Sequence, residues 1–561
     1  MTRPLRVRWL GRVAYGDSQA LQQSLVEHSV DNHLLLLEHP PVYTLGLRAD
    51  PANMLVDPTS VGAEMVRTNR GGDITYHGPG QLVGYPILTL AGKGKGNMAD
   101  TAEYVSAVEQ LIIDVLDDLG LSGAHRIQGY PGVWVGDSKI CAIGVRFSRG
   151  RTMHGFALNV DPDLSMFDHI IPCGIPDKGV TSLAEHGLKA TMFEVVNAVI
   201  TRAGELWGSG EIERQDLAWR VVPSDLSAFS RGEAGGVSVR IKGRLAEAGV
   251  PQGLSITERK PAWLRAKARI GSEYLELKRT MRELSLVTVC EEAGCPNIYE
   301  CWADRTATFM INGDRCTRAC GFCLVDTRQP EPIAIDEPER VAEAVARMNL
   351  AHVVITTVAR DDLDDGGAGA FNKTIAAIRS NTPDCDVEVL ISDCKGDPAS
   401  LDLIFSARPN IVNHNLETVV RLQRAVRPSA GYARSLAVLA RAKAAGLTTK
   451  SGMVLGMGER DDEVIGAMAD LAGVGVDIVT LGQYLRPTQH HLPVDRWIEP
   501  STFEMFAALG KEMGIGHVEA SPLTRSSYHA RQAASAANNE PWEPALVQSS
   551  ARLAARTAPE W

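Results

Sequence analysis

The feature that most restricts the fold of this 561-residue chain is the alternation of short apolar runs with amphipathic stretches through its second half. Runs of strand character occupy 308–311, 352–357, 386–391, 410–415, 450–455, 477–481 and 517–521. Helix-spaced apolar residues fill the intervals at 339–348, 371–380, 398–407, 432–445, 461–474 and 502–513. A strand, a helix and a further strand in succession place the two strands parallel, with the helix packed outside. Six or seven such units predict a full or partial TIM-type barrel, which keeps its chemistry at the C-terminal ends of its strands.

Residues 1–210 read differently. Candidate strands at 34–37, 81–90, 133–135, 140–147 and 155–160 and an amphipathic helix at 100–119 follow no regular order, which predicts a separate α+β or α/β domain rather than a barrel. The stretch 211–255 mixes charge, Gly and Ser without a long period and reads as a linker, although its WRVV and VSVR pieces also fit a small strand pair. Residues 256–561 then form the second domain. The net charge of −11 argues against nucleic acid as a partner, because that partner requires a concentrated basic face. No apolar run approaches the ~18 residues of a membrane span. The Arg-rich N-terminus lacks an apolar signal core, so the expected location is the cytoplasm.

Six of the ten cysteines lie between Cys290 and Cys323, as two triplets. In a reducing compartment such clustering favours metal binding over disulfides. CTRACGFC places Cys316, Cys320 and Cys323 directly after the first barrel strand. Structural zinc is closed by four ligands, usually in two pairs, so three cysteines at this spacing do not suit it. Four irons held by three thiolates leave one iron open to a small molecule. CEEAGCPNIYEC places Cys290, Cys295 and Cys301 just before the barrel, and this second trio also lacks a fourth ligand.

CTRACGFC resembles the cluster motif of radical S-adenosylmethionine (SAM) enzymes. With CPNIYECW, VVITTVARDDLDDGGA, NHNLETV, KSGMVLGMGE, LGQYLRPTQHHLPV and RSSYHA in order, residues 258–535 resemble lipoyl synthase. The resemblance implies two [4Fe-4S] clusters. One, on Cys316, Cys320 and Cys323, binds and reductively cleaves SAM. The other, on Cys290, Cys295, Cys301 and a serine, is dismantled to supply two sulfur atoms. Ser527 is the expected serine and Ser526 the alternative, while an RSSY sequence by itself also suits a helix N-cap. Glu417, Gly456, Gly458 and Glu459 are expected along the SAM pocket. Arg360, Asp361 and Asp362 follow a strand end and face either the site or solvent. An electron donor of ferredoxin or flavodoxin type is implied. Cys385 and Cys394 read as packing residues.

In the first half, RGGDITYHGPGQ is a tight glycine-rich loop, and Lys139 begins an apolar strand. Cys173, between Pro and Gly, is a candidate nucleophile, and a nearby lysine would hold its thiolate. Cys141 reads as a packing residue. With LLLLEHPPVYTLG, GVWVGDSKICAIGVR, HGFALNV and IIPCGI, residues 5–205 resemble lipoyl (octanoyl) transferase, which implies the α/β fold of biotin and lipoate ligases. The resemblance makes Cys173 the acyl carrier and Lys139 its partner. It places Arg70, Gly71, Gly72, Asp73, Ile74, Thr75, Tyr76, His77, Ala142, Ile143, Gly144, Gly155, Phe156 and Ala157 on the octanoyl chain. The implied partners are octanoyl-acyl carrier protein and lipoyl domains of 2-oxoacid dehydrogenases and of the glycine cleavage H protein. The basic stretches with Lys93 and Lys95 and with Arg146, Arg149 and Arg151 are candidate contacts for an acidic carrier, the alternative being solvated loops. The rival readings are a methylthiotransferase-like radical SAM enzyme and a non-catalytic scaffold clamped by metal.

Overall fold

The computed structural model describes residues 4–90, 100–171, 178–208, 211–219, 243–250, 253–264, 279–284, 286–288, 297, 301, 306–528 and 530–537. The chain forms two compact units that divide between Trp219 and Arg220. No helix among the described residues is long and apolar enough to cross a membrane.

The first unit is built on a mixed sheet in the order β12 (Ile212–Asp216), β1 (Leu5–Arg12), β2 (Asn32–Glu38), β6 (Gln81–Ile87), β10 (Arg151–Asn159), β9 (Ser138–Ser148), β8 (Tyr130–Val135) and β7 (His125–Ile127), with β11 (Gly179–Val180) alongside β9. A second small sheet holds β3 (Val42–Leu45) between β4 (Glu64–Arg67) and β5 (Ile74–His77). Helix α1 (Tyr15–His28) joins β1 to β2, and helices α2 (Thr101–Asp118) and α3 (Met192–Trp207) pack their apolar faces on the large sheet. Both begin where a side chain takes the free backbone N–H groups of the first turn: Asp100 caps α2, and Thr191 and Glu194 form a capping box on α3. β12 lies inside the stretch expected as linker. Its charged sequence hides it, because it is a partly exposed edge strand secured by parallel pairing with β1 rather than by burial. The alternative strand pair of WRVV and VSVR lies largely outside the described residues.

The second unit carries seven parallel strands in sequence order: β14 (Thr306–Ile311), β15 (His352–Thr357), β16 (Asp386–Leu390), β17 (Ile411–Asn413), β18 (Thr448–Leu455), β19 (Ile478–Gln483) and β20 (His517–Ala520). A short β13 (Val287–Thr288) pairs antiparallel to β14 at one edge. The sheet is an open arc, the partial form of the expected barrel. Helices α4 (Glu337–Arg347), α5 (Ala368–Asn381), α6 (Pro398–Ser406), α7 (Tyr432–Ala444), α8 (Asp461–Gly473) and α9 (Pro500–Glu512) alternate with the strands, and α10 (Ala530–Ala537) follows β20. Strand residues alternate between two faces. Val353, Ile355, Val387 and Val389 pack with the helical residues Phe371, Ile375 and Leu401. The opposite face of the same strands is polar: the wholly buried Lys450 and Glu388 pair at 3.0 Å, with Asn413 donating to Glu388 at 3.0 Å. Burial opposes the charge on Glu388, but Lys450 and His352 carry its pKa down to about 2.

Candidate active sites

A cavity of about 560 Å³ opens in the first unit between the 70–73 turn, β5, β6, β9 and β10. Arg70, Gly71, Gly72, Asp73, Thr75 and His77 line one side, and Ala142, Ile143, Gly144, Gly155, Phe156 and Ala157 line the other. Ile74 and Tyr76 are corrections to the expected set. The two-residue period of β5 turns them to its other face, where they pack with Tyr43, Leu45, Phe167 and Ile170. Gly155 is glycine because a Cβ there would stand 2.2 Å from the carbonyl oxygen of Gly84 on the neighbouring strand.

The polar groups on this wall are desolvated. His77 pairs with Gln81 at 2.7 Å, His154 with Asn69 at 2.7 Å, and His39 behind them with Tyr85 at 2.7 Å. Burial drives their pKa values down, to about 3 for His77 and His154 and about 4 for His39, so all three rings stay neutral at physiological pH. Arg70 is fastened to the Thr44 carbonyl at 2.5 Å. His77 and His154 therefore present neutral ring faces beside the aliphatic carbon of Val83, Ala142, Ile143 and Ala157, a stretch of wall suited to an acyl chain. Tyr15, Arg48, Val83, Tyr85 and His154 also line it and were missed from sequence. His154 directly precedes the recognised Gly155, and that adjacency was the only local signal.

Lys139, near the start of β9, reaches the same cavity, with its Nζ 4.7 Å from the centre of the Trp134 ring. Cys173 lies outside the described residues. The flanks of its segment are placed: Ile171 N donates to the Asn53 carbonyl, and β11 returns with Val180 beside Lys139 and Thr181 N donating to the Lys139 carbonyl at 3.0 Å. The expected basic patch changes. Arg151 is buried and donates to the carbonyls of Leu25, Ser29, Asp31 and Ile87, so it is a structural cation. Arg149 is exposed and pairs with Glu27 at 3.5 Å, and Lys93 and Lys95 lie outside the described residues. Cys141 is buried in the core, with its thiol pushed up by burial.

In the second unit the Cys316 loop leaves the C-terminal end of β14. Its backbone is tied from several sides: Thr317 N to the Ala359 carbonyl, Gly321 N to Val426, Leu492 N back to Gly321, and the His491 ring to the Cys323 carbonyl at 2.9 Å. Cys316 Sγ accepts the backbone N–H groups of Arg318 at 3.4 Å and Ala359 at 3.3 Å. Burial raises the Cys320 thiol to about 11 and the Cys323 thiol to about 12, and the three sulfurs lie within electrostatic reach of one another. Arg427 opposes the rise at Cys320. Arg318 forks between Asp361, at 2.7 and 2.8 Å, and the buried Asp393, at 2.6 Å. Arg360 is buried against Asp362 and the Asn312 carbonyl, so this trio braces the loop. Thiols this desolvated give up their protons to a metal rather than to water, and three on one braced loop fit three irons of a cluster. Among the described residues no three His, Cys, Asp or Glu side chains converge as ligands of a single ion. A cluster asks no such convergence, since each thiolate takes its own iron.

Of the second triplet, Cys290 and Cys295 lie outside the described residues. Cys301 N donates to the Asn297 carbonyl at 3.0 Å, and Asn297 Nδ2 donates to the Leu523 carbonyl at 2.6 Å, next to the RSSY turn. Ser526 and Ser527 are half-buried in that turn, closed by Tyr528 N donating to the Arg525 carbonyl. Glu417, in the left-handed region at φ 65°, accepts from Asn415 at 2.9 Å, and burial raises its pKa. The Glu459 carboxylate is turned into its own loop, accepting from the backbone of Gly456 and Met457 at 2.8 Å and from Thr418 at 3.1 Å. Gly456 and Gly458 both have positive φ within that loop. Cys385 and Cys394 are buried, and burial lifts their thiols to about 12 and about 11.

Residues 14–203 match the family model of the lipoyl protein ligase A/B catalytic domain, 243–295 that of the N-terminal domain of lipoyl synthase, and 310–471 that of the radical SAM superfamily. Lipoyl synthase of Kineococcus radiotolerans is 51% identical over 292 residues, 52% of this chain and 86% of that protein. Lipoyl synthase of Rubrobacter xylanophilus is 55% identical over 275 residues, 49% of this chain and 86% of that protein. A crystal structure of lipoate-protein ligase A bound with ATP aligns with 39% of this chain and 90% of its own, at 17% identity and a TM-score of 0.33.

Proposed function

This chain belongs to the lipoyl synthase family and carries a lipoyl protein ligase A/B catalytic domain ahead of it, a bifunctional arrangement for lipoate biosynthesis, and we propose that it first acylates a lipoyl domain and then inserts the sulfurs. The first unit takes octanoyl from an acyl carrier protein. The Cys173 thiolate attacks the donor thioester and the carrier's thiol departs. A lysine amine of the lipoyl domain then displaces Cys173, forming the amide and restoring the thiolate. Lys139, cationic while it holds the thiolate, gives its proton to the carrier's departing sulfur and, then neutral, takes the proton that the attacking amine sheds. Amine attack on a thioester is downhill, so the transfer needs no ATP. The neutral wall of His77, His154 and Tyr85 receives the chain without placing a buried charge against it.

The second unit binds one [4Fe-4S] cluster through Cys316, Cys320 and Cys323. When bound and reduced by a ferredoxin- or flavodoxin-type donor, that cluster supplies the electron that turns SAM into the hydrogen-abstracting agent an unactivated C–H bond requires. Glu417 faces the cofactor, while Glu459 shapes its loop from within. A second cluster, on Cys290, Cys295, Cys301 and Ser527, is the sulfur-donating substrate. An oxygen holds iron more weakly than thiolate does, which makes that corner the easiest to open. Both steps act on lipoyl domains of 2-oxoacid dehydrogenases and of the glycine cleavage H protein, in the cytoplasm.

The observation that carries this reading is the meeting of the Cys316 loop, Glu417, Asn297 and the RSSY turn at one end of the parallel strands. Reconstituting the chain anaerobically with octanoyl-carrier protein, a lipoyl domain, SAM and reductant, then weighing the domain, tests it. The expected product carries the eight-carbon acyl group with two added sulfur atoms. A domain that gains methylthio groups, or nothing, overturns it.

A further inference from the structure

The segment that carries the two serines is docked by contacts that do not involve Ser527. It crosses the end of β19 so closely that a Cβ on Gly482 would stand 2.0 Å from the Thr524 carbonyl oxygen. Gln483 N donates to the Pro522 carbonyl at 3.2 Å, and Thr524 is buried, with its hydroxyl 2.8 Å from that of Ser521. Two asparagine amides then hold the segment at separate points. Asn297, between Cys295 and Cys301, donates to the Leu523 carbonyl at 2.6 Å. Asn415 donates to Ser526 Oγ at 2.8 Å and to Glu417 Oε1 at 2.9 Å.

Asn415 is itself fixed. Its carbonyl accepts from Arg427 at 2.6 Å, and Arg427 lies within electrostatic reach of Cys320. Its Nδ2 carries two hydrogens, so one amide serves the serine and the glutamate without competition. Its Oδ1 is buried and has no partner among the described residues, so the amide gains nothing by reversing its two ends. The hydroxyl of Ser526 is thus already engaged on the side of the radical cluster. Ser527, its neighbour in the turn, makes no side-chain hydrogen bond to a described residue.

We propose that the two serines divide the work: Ser526, held by Asn415, is the anchor of the tail, and it leaves the Ser527 hydroxyl to serve as the ligand of the second cluster. Asn415 is a positioning residue, acting through Ser526 on a ligand it does not touch. The pair also links the two halves of the site, because the amide that holds the anchor also holds Glu417. The anchor limits how far Ser527 can withdraw when it lets go of iron, and so sets the ease with which the second cluster opens. This division rests on the reading of Ser527 as the fourth ligand.

The test uses the full chain in two states. In the cluster-free chain, trypsin cleavage after Arg525 reports how often the tail lifts. In the anaerobically reconstituted chain, release of iron to a ferrous chelator reports how firmly the second cluster is held. Ser526→Ala and Asn415→Ala should each speed cleavage about fivefold, the effect of one lost hydrogen bond. They should speed iron release by about tenfold, as loss of a residue behind a ligand does. Their double variant should do no more than either alone, and Ser526→Thr, which keeps the hydroxyl, should restore wild-type rates. Ser527→Ala should speed iron release while leaving cleavage of the cluster-free chain unchanged. If Ser526→Ala alters neither rate while Ser527→Ala speeds iron release, the ligand reading stands and the anchor falls. If Ser527→Ala leaves iron release unchanged while Ser526→Ala speeds it, Ser526 is the ligand and the proposal is overturned.

Discussion

The two sites of this chain treat charge in opposite ways. Around the acyl cavity, burial holds the histidines in their neutral form, with His77 and His154 near 3 and His39 near 4. Beside the cysteine loop, Arg318 is kept charged by Asp361 and the buried Asp393, and within the same unit the wholly buried Lys450 is paired with Glu388. An apolar acyl chain gains where the histidines beside it have shed their charge. An iron–sulfur cluster and a sulfonium cofactor carry charge of their own and require fixed counter-charges. The contrast shows how two chemistries can share one polypeptide without sharing an environment.

The strongest way to break the contrast is to remove a ligand. Cys316→Ala should abolish sulfur insertion, a loss of about 10³-fold or more, while octanoyl transfer to the lipoyl domain proceeds at the wild-type rate. Parallel assays on one preparation check both. If transfer falls equally, the two sites are not independent.

Next in size is the ion-pair node. Arg318→Met leaves the Asp393 carboxylate buried without its cation, and should destabilise the second unit by about 3–5 kcal/mol. Calorimetry of the full chain should show one transition moved down and the other unmoved.

Acidification sharpens the contrast more gently. A histidine whose folded pKa lies below its ordinary 6.5 cannot take up the proton that the unfolded chain accepts. Each therefore costs stability as pH falls from 6.5 towards its folded value, at up to ~1.4 kcal/mol per pH unit, and contributes nothing above 6.5. The first unit holds four such rings, His33, His39, His77 and His154, all at about 3 or 4. In the second, His414 lies at about 4, and Glu388, depressed to about 2, begins to cost stability only below its ordinary 4.5. Between pH 6.5 and 5 the first unit's transition should fall further than the second's. Equal shifts would count against the neutral wall.

The smallest expected effect is on selectivity. Ala142→Leu fills part of the acyl cavity and should shift preference towards shorter acyl donors by about 10-fold in kcat/KM, with sulfur insertion on a pre-octanoylated domain unaffected. Competition between carrier proteins bearing six- and eight-carbon chains measures it.

Order of elements and kinds of ligand are local properties, and so they are legible in one dimension. Strand and helix alternation foretold the open arc of β14 to β20, and residue type with spacing marked the cysteine loop and the glycine-rich turn of the cavity. Where local reading failed, a distant partner was decisive. β12 hid in a charged stretch because β1 stabilises it, Ile74 and Tyr76 left the cavity because β5 turns every second residue away, and Arg151 was taken for surface although four carbonyls bury it. The meeting of Asn297 with Leu523, 226 positions on, and of Asn415 with Ser526, 111 positions on, belongs to the packed molecule alone. A side chain's chemistry is carried in its own residue. The direction it faces, and whether its charge survives, depend on atoms that only folding brings within reach.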